Sequence, residues 1–122
     1  MTTRTNIAKA MLNSLLIEHF RNVFYRQGFS SNYPRCIYEI KRTNRENGIN
    51  DYILTLDVYD KNTSDGIDSM LDDFENSAEQ FMYSTDKSYL KIYTVGAERT
   101  QITDEDKNIC HTQVKYNMKI ID

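Results

Sequence analysis

Residues 51–64 read Asp51-Tyr-Ile-Leu-Thr-Leu-Asp-Val-Tyr-Asp-Lys-Asn-Thr-Ser64 and join a strand to a helix. Apolar side chains alternate along residues 52–59, which is the period of a β-strand with one buried face. Thr63 or Ser64 can cap the helix that follows, whose first turn is acidic and so favours the positive end of the helix dipole. The stretch predicts a central strand that leads directly into an amphipathic helix.

The helix after this junction carries one apolar stripe, which predicts that it packs on the sheet. The stripe consists of Ile67, Met70, Leu71, Phe74, Ala78, Phe81 and Met82. Acidic and amide side chains lie mainly outside it. Gly66, in the first turn, is unusual for a helix because glycine has a low helix propensity.

The rest of the chain supplies a second helix and further strands. An N-terminal helix is expected from Thr3 or Thr5 to about Glu18, with a broad apolar face. Alternating or β-rich runs at residues 22–26, 35–43, 88–95 and 110–120 predict strands, and a loop is expected at residues 28–34. Asn47-Gly48 favours a hairpin, so the strands on its two sides should pair antiparallel.

These elements predict one α+β domain over residues 1–122. Two main helices pack on a largely antiparallel, mixed sheet of four or five strands. Residues 96–108 are too polar for a core and long enough to project from the sheet as a hairpin arm.

The charge of the chain is modest overall but unevenly distributed. The formal net charge is -3 and the pI about 5.4, which does not indicate a general affinity for nucleic acid or anionic lipid. Residues 1–50 hold eight Lys or Arg against three Asp or Glu, and residues 51–122 hold seven against fifteen. Either the two halves cover each other or face water, or a basic surface of one copy meets an acidic surface of the next.

No segment is apolar enough to predict a membrane span. The longest mostly apolar run, residues 7–17, is interrupted by Lys9, Asn13 and Ser14 and is shorter than the roughly 20 residues that a span needs. We expect an unprocessed intracellular protein. Cys36 and Cys110 have no CxxC partner, so reduced and buried thiols are expected ahead of a disulfide or a metal site.

The sequence contains only fragments of known catalytic motifs. His19 and His111 have no convincing partner in the sequence, and the common nucleotide, hydrolase and zinc motifs are absent. Glu39-Ile-Lys41 resembles half of a metal-dependent nuclease site, but the earlier aspartate that completes such a site is missing. Alternation of charge on an exposed strand face explains Glu39 and Lys41 without chemistry.

Two further features favour contacts over catalysis. The acidic run Asp104-Glu-Asp106 lacks the spacing and glycine of a Ca²⁺ loop, so it is either a solvated loop tip or a contact with a neighbouring subunit. The nine tyrosines are typical of half-buried sheet positions, yet tyrosine is also enriched at protein interfaces. We expect no enzyme activity, no cofactor and no metal site.

The order of features resembles the tail-completion proteins of tailed bacteriophages, the tail terminator and tail-to-head joining group. The resemblance covers most of residues 5–121, beginning with a short N-terminal helix. Three segments carry it: Tyr33-Pro-Arg-Cys-Ile-Tyr38, Leu56-Asp-Val-Tyr-Asp60 before a helix, and Ile102-Thr-Asp-Glu-Asp-Lys-Asn-Ile109 before a long strand. The chain departs from the pattern at Gly66 and at Tyr59, where the family often has tryptophan.

The resemblance implies a structural subunit of a virion tail or neck, assembled in the host cytoplasm. Such a subunit forms a ring, expected to be a homohexamer, that ends the tail tube and contacts the tube protein and the neck or connector proteins. DNA would pass through the ring without specific binding. The candidate subunit-interface residues are Arg99, Asp104, Glu105, Asp106, Arg42 and Arg45. The alternative is a small intracellular protein-binding or regulatory module that uses a sheet edge and its tyrosines.

Overall fold

The computed structural model describes residues 4–20, 22–25, 33–46, 49–61, 65–80, 83–84, 89–94, 96–104, 106 and 108–121. Its helices are α1 (Arg4–His19) and α2 (Asp65–Gln80). Its strands are β1 (Asn22–Tyr25), β2 (Arg35–Glu46), β3 (Ile49–Lys61), β4 (Tyr83–Ser84), β5 (Tyr89–Tyr93), β6 (Arg99–Ile102) and β7 (Ile109–Ile121). No described helix is long and apolar enough to cross a membrane.

The strands form one mixed sheet in the order β1-β2-β3-β7-β5-β4, with β6 also paired to β7. β1 runs parallel to β2, and every other pair is antiparallel. β5 pairs with residues 117–121 of β7 and β6 with residues 111–114, so β5 and β6 lie end to end along the same side of β7. The predicted α+β class and mostly antiparallel sheet are confirmed.

The predicted strand number was too low because β4 and β6 escaped notice. β4 has only two residues, and β6 reads Arg-Thr-Gln-Ile, which lacks a clear apolar alternation. The projecting arm is not confirmed, because residues 99–102 of that segment pair with β7. The predicted hairpin at Asn47-Gly48, the caps Thr63 and Ser64, and Phe81 and Met82 lie outside the described residues, as does most of the loop predicted at 28–34.

Both helices cover the same face of the sheet. Their buried side chains form one cluster with those of alternate strand positions. The helical members are Leu12, Leu15, Leu16, Ile67, Leu71, Phe74 and Ala78, joined by Phe20 just after α1; the strand members include Cys36, Tyr38, Ile40, Tyr52, Leu54, Leu56, Val58, Leu90, Ile92, Val114, Tyr116, Met118 and Ile120. The alternations predicted for β3 and β7 are confirmed, since these positions are buried on one face only.

The end of β3 lies close to the first turn of α2. The carboxylate of Asp60, at the end of β3, accepts a hydrogen bond from the backbone N–H of Lys61 at 2.8 Å. A Cβ added at Gly66 would lie 3.1 Å from the other oxygen of Asp60. Glycine therefore lets the first turn of α2 approach the strand end closely, which explains a residue that is unfavourable in helices.

The two cysteines are free thiols, as predicted. Cys36 is fully buried on β2, and Cys110 is half-buried on β7. Burial, with a smaller contribution from the Asp57 carboxylate, raises the pKa of the Cys36 thiol. Cys36 is thus an unreactive core residue, because the thiolate is the reactive form.

Candidate functional site: the open face of the sheet

The face of the sheet away from the helices, here called the open face, carries a mixed but mainly basic surface. None of its side chains on β2, β3, β5, β6 and β7 is fully buried among the described residues. They include Arg35, Ile37, Glu39, Lys41, Asp51, Ile53, Thr55, Asp57, Tyr59, Lys91, Tyr93, Thr100, Ile102, His111, Gln113, Lys115, Asn117 and Lys119. Five of these are Lys or Arg and three are carboxylates.

A row of stacked side chains crosses the open face at one end. Tyr59 on β3 lies opposite Arg35 on β2 and His111 on β7. The Arg35 guanidinium carbon is 4.6 Å from the Tyr59 ring centroid, and the His111 ring is stacked at 4.1 Å. Arg35 also lies 5.2 Å from the Tyr33 ring. Burial, with help from the nearby Asp57 carboxylate, raises the pKa of Tyr59.

Asp57, on β3 two residues before Tyr59, binds the His111 end of this row. His111 Nε2 lies 2.7 Å from Asp57 Oδ1, and Gln113 Nε2 donates to the same oxygen at 3.1 Å. Because an ionised carboxylate only accepts hydrogen bonds, His111 must carry its proton on Nε2. The prediction that His111 lacks a partner was wrong: its partner is 54 positions away in sequence and becomes visible only once β3 and β7 are in register.

We expect Asp57→Ala to destabilise the protein by about 1–3 kcal/mol, because two half-buried donors lose their acceptor. The Asp57 side chain is only 23% exposed and that of His111 only 11%. Urea unfolding monitored by circular dichroism measures the loss. Lys41→Ala is the control, since this exposed lysine lies on the same face. Equal stability of the two variants would contradict a structural role for the pair.

The nuclease-like fragment is not completed by its surroundings. Glu39 pairs across the sheet with Thr55 and Lys41 with Ile53, so neither lies directly opposite a second carboxylate. Within the described part of the chain, no group of three His, Cys, Asp or Glu side chains could hold a metal ion.

The predicted interface residue Arg99 lies on the helix side of β6, where it bonds to α2. Its guanidinium contacts Asp72 at 2.6 Å, Glu75 at 3.0 Å and Asp68 at 3.3 Å. The buried Tyr116 hydroxyl donates to Glu75 at 2.8 Å. One network therefore links β6, α2 and β7, a role that sequence reasoning did not foresee for Arg99.

Burial and the hydrogen bond to Glu75 raise the pKa of Tyr116. The unfolded chain releases this proton near pH 10, while the folded protein retains it. The stabilisation is complete below pH 10 and is lost as pH rises through the folded-state value, by about 1.4 kcal/mol per pH unit.

Tyr116→Phe removes this titration, so we expect its cost in unfolding free energy to be largest near pH 8 and to shrink above pH 10. Guanidinium unfolding of both proteins between pH 8 and 11.5 tests this. Other groups with raised pKa, such as Cys36 and Tyr38, are present in both proteins and cancel in the comparison. A cost that does not change with pH would contradict the assignment.

Of the other predicted interface residues, Asp104, Asp106 and Arg42 are described, and they lie apart from the Arg99 network. Asp104 and Asp106 organise the turn between β6 and β7, where their carboxylates accept from the backbone N–H groups of Asp106 and Asn108 at 3.0 and 2.9 Å. Arg42 is exposed beside an irregularity in β2. Arg45 belongs to β2, but its side chain lies outside the described residues, as does the whole of Glu105.

Opposite charges separate across the thickness of the molecule. α2 contains six Asp or Glu and no Lys or Arg, and it lies on the helix side of the sheet. Lys91, Lys115 and Lys119 belong to the acidic half of the sequence, yet they lie on the open face. The acidic α2 and these three lysines therefore lie on opposite sides of the sheet although both belong to the acidic half of the sequence, which counting charge along the chain could not reveal.

Lys119 lines a shallow groove of about 530 Å³ on the open face, together with residues that include Asp51, Tyr93 and Asn117. Lys119 Nζ is 3.9 Å from Asp51 Oδ1. The ammonium groups of Lys91 and Lys119 lie 4.9 and 5.9 Å from the Tyr93 ring centroid.

Comparison of the chain with models of known protein families gave no match, and comparison with curated protein sequences gave none.

Proposed function

We propose that the chain is a structural subunit of a bacteriophage tail or phage-like particle, where a ring of its copies terminates the tail tube and joins it to the neck or head. One observation carries the proposal: the acidic α2 and the basic open face lie on opposite sides of the same molecule. A ring made by head-to-tail contact needs two different, complementary surfaces on each subunit. The resemblance to tail-completion proteins indicates that this ring is one that terminates a tail tube.

The turn between β6 and β7 supplies a second contact in this proposal. Its exposed Asp106, with Asp104 and Glu105 beside it, would meet basic residues of the next subunit, including Arg42 and Arg45. In this arrangement β6 extends the sheet of its own chain, and the turn that follows it within residues 96–108 contacts the next subunit. Arg99 contributes by holding β6 against α2.

The proposed role involves no catalysis and no cofactor. The partners are other copies of the chain, the tail tube protein and the neck or connector proteins. The subunit would assemble in the host cytoplasm and reside in the tail or neck of the virion, with DNA passing through without specific binding.

The experiment is polymerisation of a tail tube protein from the same genome, in the presence and absence of this chain. Electron microscopy of tubes grown with and without the chain measures their length. We expect shorter tubes with a ring at one end. Tubes of unchanged length without a bound ring would overturn the proposal. Deleting the gene from its phage should give tails of uncontrolled length or heads without tails, and normal particles would overturn it equally.

A second candidate is a protein-binding or regulatory module. Tyr93 and Ile102 favour it, because these large apolar side chains are each 37% exposed on β5 and β6. Such residues suit recognition of a protein beside the sheet edge. This candidate predicts a monomer that has no effect on tube growth.

A further inference from the structure

We propose that α2 of one copy docks on the open face of the next, with its acidic row set against the lysines of β5 and β7. This inference rests on the proposed ring and names the two surfaces that form it. The surfaces are the acidic row Asp68, Asp72 and Glu75, and the lysine cluster Lys91, Lys115 and Lys119.

Among the described residues, the lysine cluster forms a single ion pair with a carboxylate. Lys91 and Lys119 lie directly opposite each other in the β5–β7 pairing, an arrangement that destabilises a sheet when both residues carry the same charge. Lys115, two positions from Asn117 on the same face, forms no ion pair with any described residue. Asp51, at 3.9 Å from Lys119, forms the ion pair found for this cluster among the described residues. Two of the three ammonium groups therefore have no carboxylate within ion-pair distance in the described part of the chain.

The acidic row has the opposite imbalance. Asp68, Asp72 and Glu75 are spaced at i, i+4 and i+7, so they lie along one side of α2. All three share the single guanidinium of Arg99, and the Asp68 and Asp72 side chains remain 50% and 66% exposed. Two negative charges of this row are therefore left for another partner.

The two surfaces are of similar but not equal length. Asp68 and Glu75 are separated by about 10 Å along the helix axis. Lys115 and Lys119 are separated by about 14 Å along the strand. α2 cannot reach the open face of its own chain, because the sheet lies between them. The charges can therefore meet only between two copies, in a heterologous contact.

A second copy fits the open face better than a nucleic acid does. Glu39, Asp51 and Asp57 lie among the cations of this face and would repel phosphates. The chain also has a net charge of -3, so its long-range field opposes a polyanion. An acidic helix with one arginine beside it can present negative charges to the lysines of the open face and a positive charge to its carboxylates.

The test uses two charge-reversed variants of the full chain. One is Lys115→Glu with Lys119→Glu, and the other is Asp68→Lys with Asp72→Lys. We expect each alone to self-associate at least tenfold more weakly than the wild type, and a 1:1 mixture to recover the oligomer, measured by sedimentation velocity. The control Arg4→Glu with Lys9→Glu changes the net charge equally on α1, which carries neither docking surface, and should leave the oligomer intact.

The outcomes separate this inference from the proposed ring. A wild-type oligomer with an unchanged, folded Lys115→Glu/Lys119→Glu variant would overturn the docking surfaces and leave the ring standing. A wild type that stays monomeric with its tube protein present would overturn the ring itself. If the helix variant fails to fold by circular dichroism, Asp68→Asn with Asp72→Asn replaces it, because the amide oxygens still accept from Arg99. Binding of a 20-nucleotide single strand that is lost in the Lys115→Glu/Lys119→Glu variant would overturn the choice of partner.

Discussion

Replacing Phe74 with alanine is expected to lower the free energy of unfolding by about 3–5 kcal/mol. Phe74 on α2 is fully buried. Its ring centroid lies 6.0 Å from that of Phe20, 6.1 Å from that of His19 and 5.6 Å from that of Tyr116. The side chain thus joins the end of α1 to α2 and to β7, and its loss leaves a cavity at the meeting point of the three elements.

Urea unfolding of Phe74→Ala, followed by circular dichroism, measures this loss. A domain of ordinary stability has about 5–15 kcal/mol, so the variant loses a large fraction of its free energy of unfolding. Asn76→Ala is the matched control, because Asn76 is exposed on the same helix and should change stability by less than about 0.5 kcal/mol. A cost below about 1 kcal/mol for Phe74→Ala would contradict the packing of both helices on one face.

Replacing Arg99 with methionine is the second large effect, expected at about 1–3 kcal/mol. The apolar stem is kept while three carboxylates lose their shared cation. Glu75 should account for most of the cost, because its side chain is only 22% exposed, whereas Asp68 and Asp72 are screened by water. Hydrogen exchange should also increase at residues 99–102, since β6 loses its tie to α2.

Salt distinguishes the charge of Arg99 from its packing. Screening weakens the wild-type attraction and relieves the repulsion left in the variant, so the stability difference should shrink between 0.02 and 0.5 M NaCl, concentrations that span Debye lengths from well above to well below about 10 Å. Arg42→Met, at an exposed position, is the control and should have little effect. A difference that is the same at all salt concentrations would contradict an electrostatic origin of the effect.

The elements with a strong period were predictable from the sequence. The alternation of β3 and β7 identified the buried positions of both strands, because every second side chain of a strand shares one face. The apolar stripe of α2 was equally informative at Ile67, Leu71 and Phe74, which are all buried. β6 was missed because its sequence, Arg-Thr-Gln-Ile, lacks the apolar alternation of a strand with one buried face, although it pairs with β7.

The candidate site was less predictable because it depends on strand register. Asp57 and His111 come together only when β3 and β7 are paired, and Arg99 finds its carboxylates only when β6 lies beside α2. The polar face of β7 was visible in the sequence, including Lys115 and Lys119. The position of these lysines on the opposite side of the sheet from α2 could not be predicted, because charge was counted along the chain and not by side of the sheet.

The central claim is that copies of the chain assemble through oppositely charged sides. Light scattering coupled to size-exclusion chromatography, repeated over a range of protein and salt concentrations, tests it most directly. We expect one closed oligomer of six subunits. It should dissociate as salt rises, because the contact is electrostatic. A strict monomer at every concentration, even with the tube protein present, or an oligomer indifferent to salt, would contradict it.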